Sequence, residues 1–149
     1  MKTVPIIQSR QCNGCSCCCE GFLNAKIYGF NMSLNDGPCR FLIRDKCGIY
    51  PVRPELCKKF LCGWRENTSF PEFMKPNLSN IILLNKYIEN FFYYRMVKCN
   101  IKIKQEVYNW AEQESMNGKH FIGYDNDGNP LIYSTSDEFK KLIEDKGLL

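Results

Sequence analysis

Several common signatures of activity are missing from this sequence. It has no G-x-G-x-x-G, no Walker A loop and no G-x-S-x-G, so no dinucleotide site, phosphate loop or hydrolase elbow is indicated. Histidine occurs once, as His120, with no strong Ser/His/Asp set around it. Lying in Gly118-Lys119-His120-Phe121 between a helical and a strand pattern, it is expected at the surface. Apolar runs are short. Ile81 to Leu84 suits an ordinary buried element, and nothing approaches the roughly 20 residues that span a bilayer. Met1 to Gln11 carries neither the apolar stretch nor the small-residue cleavage site of a secretory leader. The expectation is a cytoplasmic protein with no membrane partner.

What is present is cysteine. The 149 residues include ten, at positions 12, 15, 17, 18, 19, 39, 47, 57, 62 and 99, within a chain that is 44% hydrophobic. That apolar content supports a folded core. In a secreted chain such cysteines would imply disulfides; in a reducing compartment dense cysteine points instead to metal.

Charge follows the cysteines. Residues 1–65 hold ten Lys/Arg and four Asp/Glu, a formal +6, whereas residues 66–149 hold ten and twelve, a formal −2. A basic segment invites a nucleic-acid reading. Metal thiolate sites offer another: a cation or oxidised four-iron cluster held by four thiolates carries a net charge of about −2. One or two such sites would offset most of the excess, so nucleic acid is disfavoured as a partner.

The pattern divides into a cysteine module over residues 1–65 and a conventional part over 66–149, together forming one irregular α+β domain. The module has turn formers at Asn13-Gly14, Asn35-Asp36-Gly37-Pro38 and Cys47-Gly48. Phe41-Leu42-Ile43 suggests a short strand, and Arg53 to Phe60 a short helix with Pro54 at its first position. In the second part, apolar residues at 81, 84, 88, 91 and 92 predict a helix over Leu78–Val97. The aromatic group Phe91 to Tyr94 is then core packing on that helix. Ile103, Val107, Trp110 and Ala111 predict a second helix over Lys102–Asn117, closed by Gly118. Phe121–Tyr124 and Leu131–Ser134 flank a turn and suggest a hairpin. Within that turn Asp125, Asp127 and Asn129 resemble a calcium loop only superficially, because the downstream Glu is absent and Pro130 intervenes. Thr135 and Glu138 form a capping-box pair before a last helix through Lys146, closed by Gly147.

The densest segment is Cys12-Asn13-Gly14-Cys15-Ser16-Cys17-Cys18-Cys19. Cys12, Cys15 and Cys18 follow C-x2-C-x2-C, the start of a ferredoxin-type ligand run, and the first pair also satisfies a zinc knuckle. Cys18 and Cys19 are adjacent, so their side chains diverge and are expected to serve different sites, or one to ligate and the other to support. Cys17 breaks the three-residue pattern and is expected to face away. The distal candidates are Cys39, Cys47, Cys57 and Cys62. Eight cysteines make two four-sulfur sets. Cys99 fits no pattern and is expected to be an ordinary buried thiol.

The knot Cys12-x2-Cys15-x2-Cys18-Cys19, then Gly37-Pro38-Cys39-Arg40-Phe41-Leu42, then Cys47-Gly48-Ile49-Tyr50-Pro51-Val52-Arg53-Pro54-Glu55-Leu56-Cys57-Lys58-Lys59-Phe60, resembles the YkgJ-like cysteine-cluster family. That family is described as a zinc- or iron-chelating domain and includes the bacterial flagellin lysine N-methylase. The resemblance covers about residues 12 to 62, and Cys17 departs from the usual knot. It implies Cys12, Cys15, Cys18, Cys19, Cys39, Cys47, Cys57 and Cys62 as metal ligands. It also sets Tyr50 and Arg53 beside the cluster in sequence, where a guanidinium can hydrogen-bond and neutralise thiolate sulfur.

The expected function is therefore a metal-binding cysteine-cluster protein holding a four-iron (4Fe-4S) cluster or Zn2+, with iron slightly favoured by the ferredoxin-like spacing and the methylase resemblance. An iron–sulfur-dependent lysine methyltransferase-like enzyme is the alternative, although no S-adenosylmethionine motif appears. A zinc-dependent nucleic-acid-binding module is a third reading. The partner, an unspecified protein or small molecule, has no signature in the chain.

Overall fold

A computed structural model describes residues 17–44, 46–59, 62–99 and 102–149. The cysteine-bearing segment is assembled from very short elements. A 3-10 turn at Cys17–Glu20 leads to a hairpin of β1 (Ala25–Ile27) and β2 (Phe30–Met32). A second hairpin joins β3 (Leu42–Ile43) to β4 (Lys46–Cys47). A 3-10 turn at Tyr50–Val52 precedes α1 (Glu55–Lys59), and the Pro54 carbonyl accepts the Cys57 and Lys58 amides at 3.0 Å. The predicted strand and helix are thus present in shortened form.

Past Cys62, α2 (Gly63–Glu66) and α3 (Pro76–Ser79) lead into a four-stranded sheet. Its strands are β5 (Ile81–Ile88), β6 (Phe91–Lys98), β7 (Phe121–Tyr124) and β8 (Pro130–Tyr133), hydrogen-bonded in that order. The two hairpins β5–β6 and β7–β8 are antiparallel, whereas β6 and β7 run parallel. A parallel pair needs a crossover, and α4 (Gln105–Met116) supplies it. The chain closes with α5 (Asp137–Asp145).

The sheet is covered on both faces. Val107, Tyr108 and Ala111 of α4 share a buried cluster with Trp64, Phe70, Tyr94 and Phe121. Phe139 and Ile143 of α5 share another with Tyr93 and Ile122. Adjacent residues Tyr93/Tyr94 and Phe121/Ile122 thus serve opposite cores, as strand pleating requires. The mixture of helix and sheet agrees with the expected α+β class. Among the described residues, no helix is long and apolar enough to cross a membrane.

Two expectations are corrected. Leu78–Val97 is not a helix: its core is the β5–β6 hairpin, with register running from Ile81↔Lys98 to Ile88↔Phe91. Ile-rich and aromatic residues suit a pleated surface, and Glu89 reverses the chain at φ 51°. The aromatic group does pack, but on a strand, with Tyr93 and Tyr94 buried. The cap of α5 is Ser136, whose Oγ accepts the Phe139 amide at 3.1 Å, one residue later than Thr135. The α4 helix, the β7–β8 hairpin and the closing glycines at 118 and 147, both at positive φ, follow expectation.

Candidate metal centre

The cysteines are sorted by the short turn that carries them. At Cys17–Glu20 successive side chains leave the backbone in different directions, and here they enter different cores. Cys17, 5% exposed, belongs to the large cluster that also holds Cys62, and Cys18 packs against that cluster. Cys19 packs instead against a small separate core of Ile27, Met32 and Cys39. The expected divergence of Cys18 and Cys19 is present. Cys17, set aside on spacing alone, is buried.

The small core collects cysteines from several segments through backbone pairing. The Cys39 amide donates to the Cys19 carbonyl at 2.6 Å, and the Cys39 carbonyl accepts the Leu42 amide at 3.0 Å. Leu42 in turn pairs with Cys47 across the β3–β4 hairpin. That hairpin closes tightly because Gly48 lets its own amide reach the Phe41 carbonyl at 2.8 Å; a Cβ there would lie 2.6 Å from Ile43 Cδ1 and 2.9 Å from the Phe41 oxygen. Cys57, on α1, packs against the same core. Its thiol pKa is raised, first by burial and then by the neighbouring Cys39 and Cys47, and is partly lowered by Arg53.

Arg53 is built into this arrangement. Its guanidinium carbon lies 3.7 Å from the Tyr50 ring centroid, a cation–π stack. Its Nε is buried with no hydrogen-bond partner. Such a donor costs free energy unless an acceptor completes it, and thiolate sulfur is an acceptor of the right charge. Donor softness and charge therefore suit zinc or an iron–sulfur cluster better than a hard cation.

No disulfide links any two of the described cysteines. Among the described residues, no group of three His, Cys, Asp or Glu side chains converges closely enough to hold an ion. Cys12, Cys15 and the Asn13-Gly14 turn lie outside the described residues. Cys62 is 4% exposed at the N-cap position of α2, where its carbonyl accepts the Glu66 amide at 3.0 Å. Cys99 is an ordinary core thiol, 2% exposed, with Sγ 3.6 Å from the Pro76 carbonyl oxygen.

Two polar features outside the module also find their place. His120, expected at the surface, is half-buried. Its ring stacks on Phe139 at 4.4 Å and 16°, and Nδ1 lies 2.6 Å from Ser134 Oγ. Burial lowers its pKa. Asp125 spends its carboxylate on the turn, accepting the Asp127 and Asn129 amides at 2.8 Å each and the Asn129 side chain at 3.3 Å. Asn126 was not singled out from sequence, yet its side chain both donates to and accepts from the Ile103 backbone at 2.9 Å, tying this turn to the entry of α4.

The sequence was compared with protein-family models, with curated proteins and with solved structures, and none of the three gave a match.

Proposed function

We propose that this protein binds metal through its cysteine cluster, in the manner of the YkgJ-like family that residues 12 to 62 resemble. The supporting observation is the gathering of Cys19, Cys39 and Cys57 around one small core, with Cys47 paired to it through Leu42. Three thiols from three separate segments thus share one core, and a fourth sits beside it across the β3–β4 hairpin. The orphaned Arg53 Nε beside Cys57 adds a donor suited to thiolate.

The ligand set is Cys12, Cys15, Cys18, Cys19, Cys39, Cys47, Cys57 and Cys62, with a four-iron cluster slightly preferred to Zn2+. Such a centre supplies either tetrahedral cross-linking of the loops or a one-electron couple. The chain's own contribution is to hold soft donors in a partly dry core and to set the Arg53 charge beside one of them. A reducing cytoplasm keeps those thiols available.

Anaerobic purification followed by metal analysis and absorption spectroscopy tests the reading. A brown protein with stoichiometric iron is expected. Colourless protein with stoichiometric zinc would retain the cluster and correct the metal, and protein with neither would overturn the proposal.

A further inference from the structure

The β1–β2 hairpin presents a side chain that its own fold does not need. The hairpin turns through Tyr28 and Gly29, with Ile27 paired to Phe30 across it. A two-residue turn with positive φ at both central positions favours Asn-Gly or Asp-Gly. Here a tyrosine stands at φ 49°, an outlying conformation for a bulky residue. Burial does not compensate, because Tyr28 is 55% exposed. The side chain is nevertheless fixed. Its hydroxyl donates to the Val52 carbonyl at 2.5 Å, and its ring meets Phe41 in an edge-to-face contact at 6.0 Å.

Phe41 takes a second edge-to-face contact from Phe30 at 6.1 Å, and the Arg40 guanidinium carbon lies 4.2 Å from the Phe30 ring centroid. Phe30 is 42% and Val52 63% exposed. Arg40, Phe30, Phe41, Tyr28 and Val52 therefore form one continuous strip on the surface. Aromatic and arginine side chains dominate the energetics of protein interfaces, and these are already held in place. A stacked guanidinium keeps its fork of N–H donors for a carboxylate.

We propose that this strip is a docking surface for an acidic segment of another protein, one in which aspartate or glutamate flanks a large apolar residue. Charge selects that partner. The exposed Lys26, Arg40, Arg44 and Lys46 have no carboxylate partner among the described residues. The nearby acids are engaged internally: Asp36 accepts from Ser33 Oγ at 3.0 Å, and Glu55 lies 3.8 Å from Lys58 Nζ. The basic groups are thus left over for a ligand, and the exposed rings beside them supply apolar contact. Single-stranded nucleic acid fits less well. Bases stack on open ring faces, whereas here a guanidinium covers a face of Phe30 and the remaining rings are engaged with one another edge to face.

The test pans a random-sequence peptide display library on the full chain, then measures the enriched peptides by fluorescence anisotropy. Enriched sequences are expected to place Asp or Glu beside a large apolar residue. Arg40→Glu should weaken them by about tenfold or more, while Lys104→Glu, the same charge change at an exposed position of the later region, leaves affinity near wild type. Tyr28→Asn puts a residue suited to positive φ at the turn, so misfolding does not account for its effect; it should also weaken binding by about tenfold. Enriched peptides without acidic residues would overturn the proposal, as would equal losses in Arg40→Glu and Lys104→Glu or wild-type affinity in Tyr28→Asn. Labelled oligothymidylate bound more tightly than the peptides, and through Arg40, would give the surface to nucleic acid instead. Self-association abolished by Arg40→Glu would give it to a second copy of this chain. Either result overturns the assignment to an acidic partner.

Discussion

Residues 17–62 and residues 63–149 solve the same problem with different materials. The later region has strands of four to eight residues, helices on both sheet faces and side chains such as Ile82, Phe121, Ile122, Phe139 and Ile143 at 0% exposure. The earlier region has strands of two or three residues, and its separate core consists of Ile27, Met32 and Cys39. It leaves Tyr28, Leu34, Ile43, Val52 and Leu56 more than half exposed. Burial of apolar surface is the main offset to chain entropy, and the earlier region has little of it. Its thiols stand where the later region has phenylalanine and isoleucine. On the proposed function, a cross-link formed by ligation would supply order that burial does not.

The strongest test of that contrast is removal of metal. Chelation should expose the earlier region to trypsin at Lys26, Arg40, Arg44 and Lys58, while amides of β5 to β8 keep their protection from hydrogen exchange. This is the largest effect expected, because the ligation free energy of structural thiolate sites is of order 10 kcal/mol. Cleavage of both regions at the same chelator concentration would erase the distinction between them. An unchanged digestion pattern after complete metal removal would show that the small core holds without it.

The joint between the regions offers a smaller perturbation. Gly63 follows Cys62 directly and packs so closely on the sheet that a Cβ would lie 2.8 Å from Leu83 Cβ and 3.1 Å from the Tyr94 ring. Neither neighbour is the far end of a flexible chain, so Gly63→Ala should cost about 1–3 kcal/mol as an overpacking change. A lowered urea midpoint at unchanged slope, with metal content near wild type, is expected. A parallel loss of metal would mean that the proposed ligation depends on the seating of Cys62, and the two regions would then be one cooperative unit.

How far the sequence could be read also differs between the regions. Helices α4 and α5 and the β7–β8 hairpin carry their own punctuation: Gly118, Gly147 and the Asp125–Pro130 turn are local signals with local causes. The β5–β6 hairpin has none. Its reversal uses Glu89 at φ 51°, with no glycine or proline at the tip. Apolar residues at 81, 84, 88, 91 and 92 also satisfy a helical period by coincidence, because a strand buried at one end shows no clean alternation. The cap of α5 moved by one residue because Ser136 and Thr135 compete for the same role, and spacing alone does not separate them. In the cysteine region, spacing identified the thiol-rich segments and the divergence at Cys18-Cys19. It could not show that Cys17 is buried, since that depends on a sheet contributed by residues far along the chain. The surface expectation for His120 failed for the same reason: its burial is made by Phe139 and Phe91, neither adjacent in sequence.

His120 supplies the smallest effect and confines it to the later region. Burial lowers its pKa from the ordinary 6.5, so the unfolded chain takes up a proton more readily than the folded one. Where the unfolded state binds more protons, stability rises with pH. The contribution is therefore fully present above about 6.5 and is lost as pH falls from there through the lower folded-state value. The loss should appear as loosening of α5, since the ring stacks on Phe139 and Nδ1 contacts Ser134, whose Oγ also accepts the Ser136 amide at 3.0 Å beside the helix cap. Urea titrations between about pH 5 and 6.5, above the carboxylate range, should show a modest decline in the wild type. His120→Phe keeps an aromatic stack and cannot titrate, so its stability should be flatter with pH over that window. An equal slope in both proteins would assign the decline to other groups. Hydrogen exchange in α5 adds the regional test: the acid-induced change should be read there, with the amides around Cys39 and Cys47 unmoved.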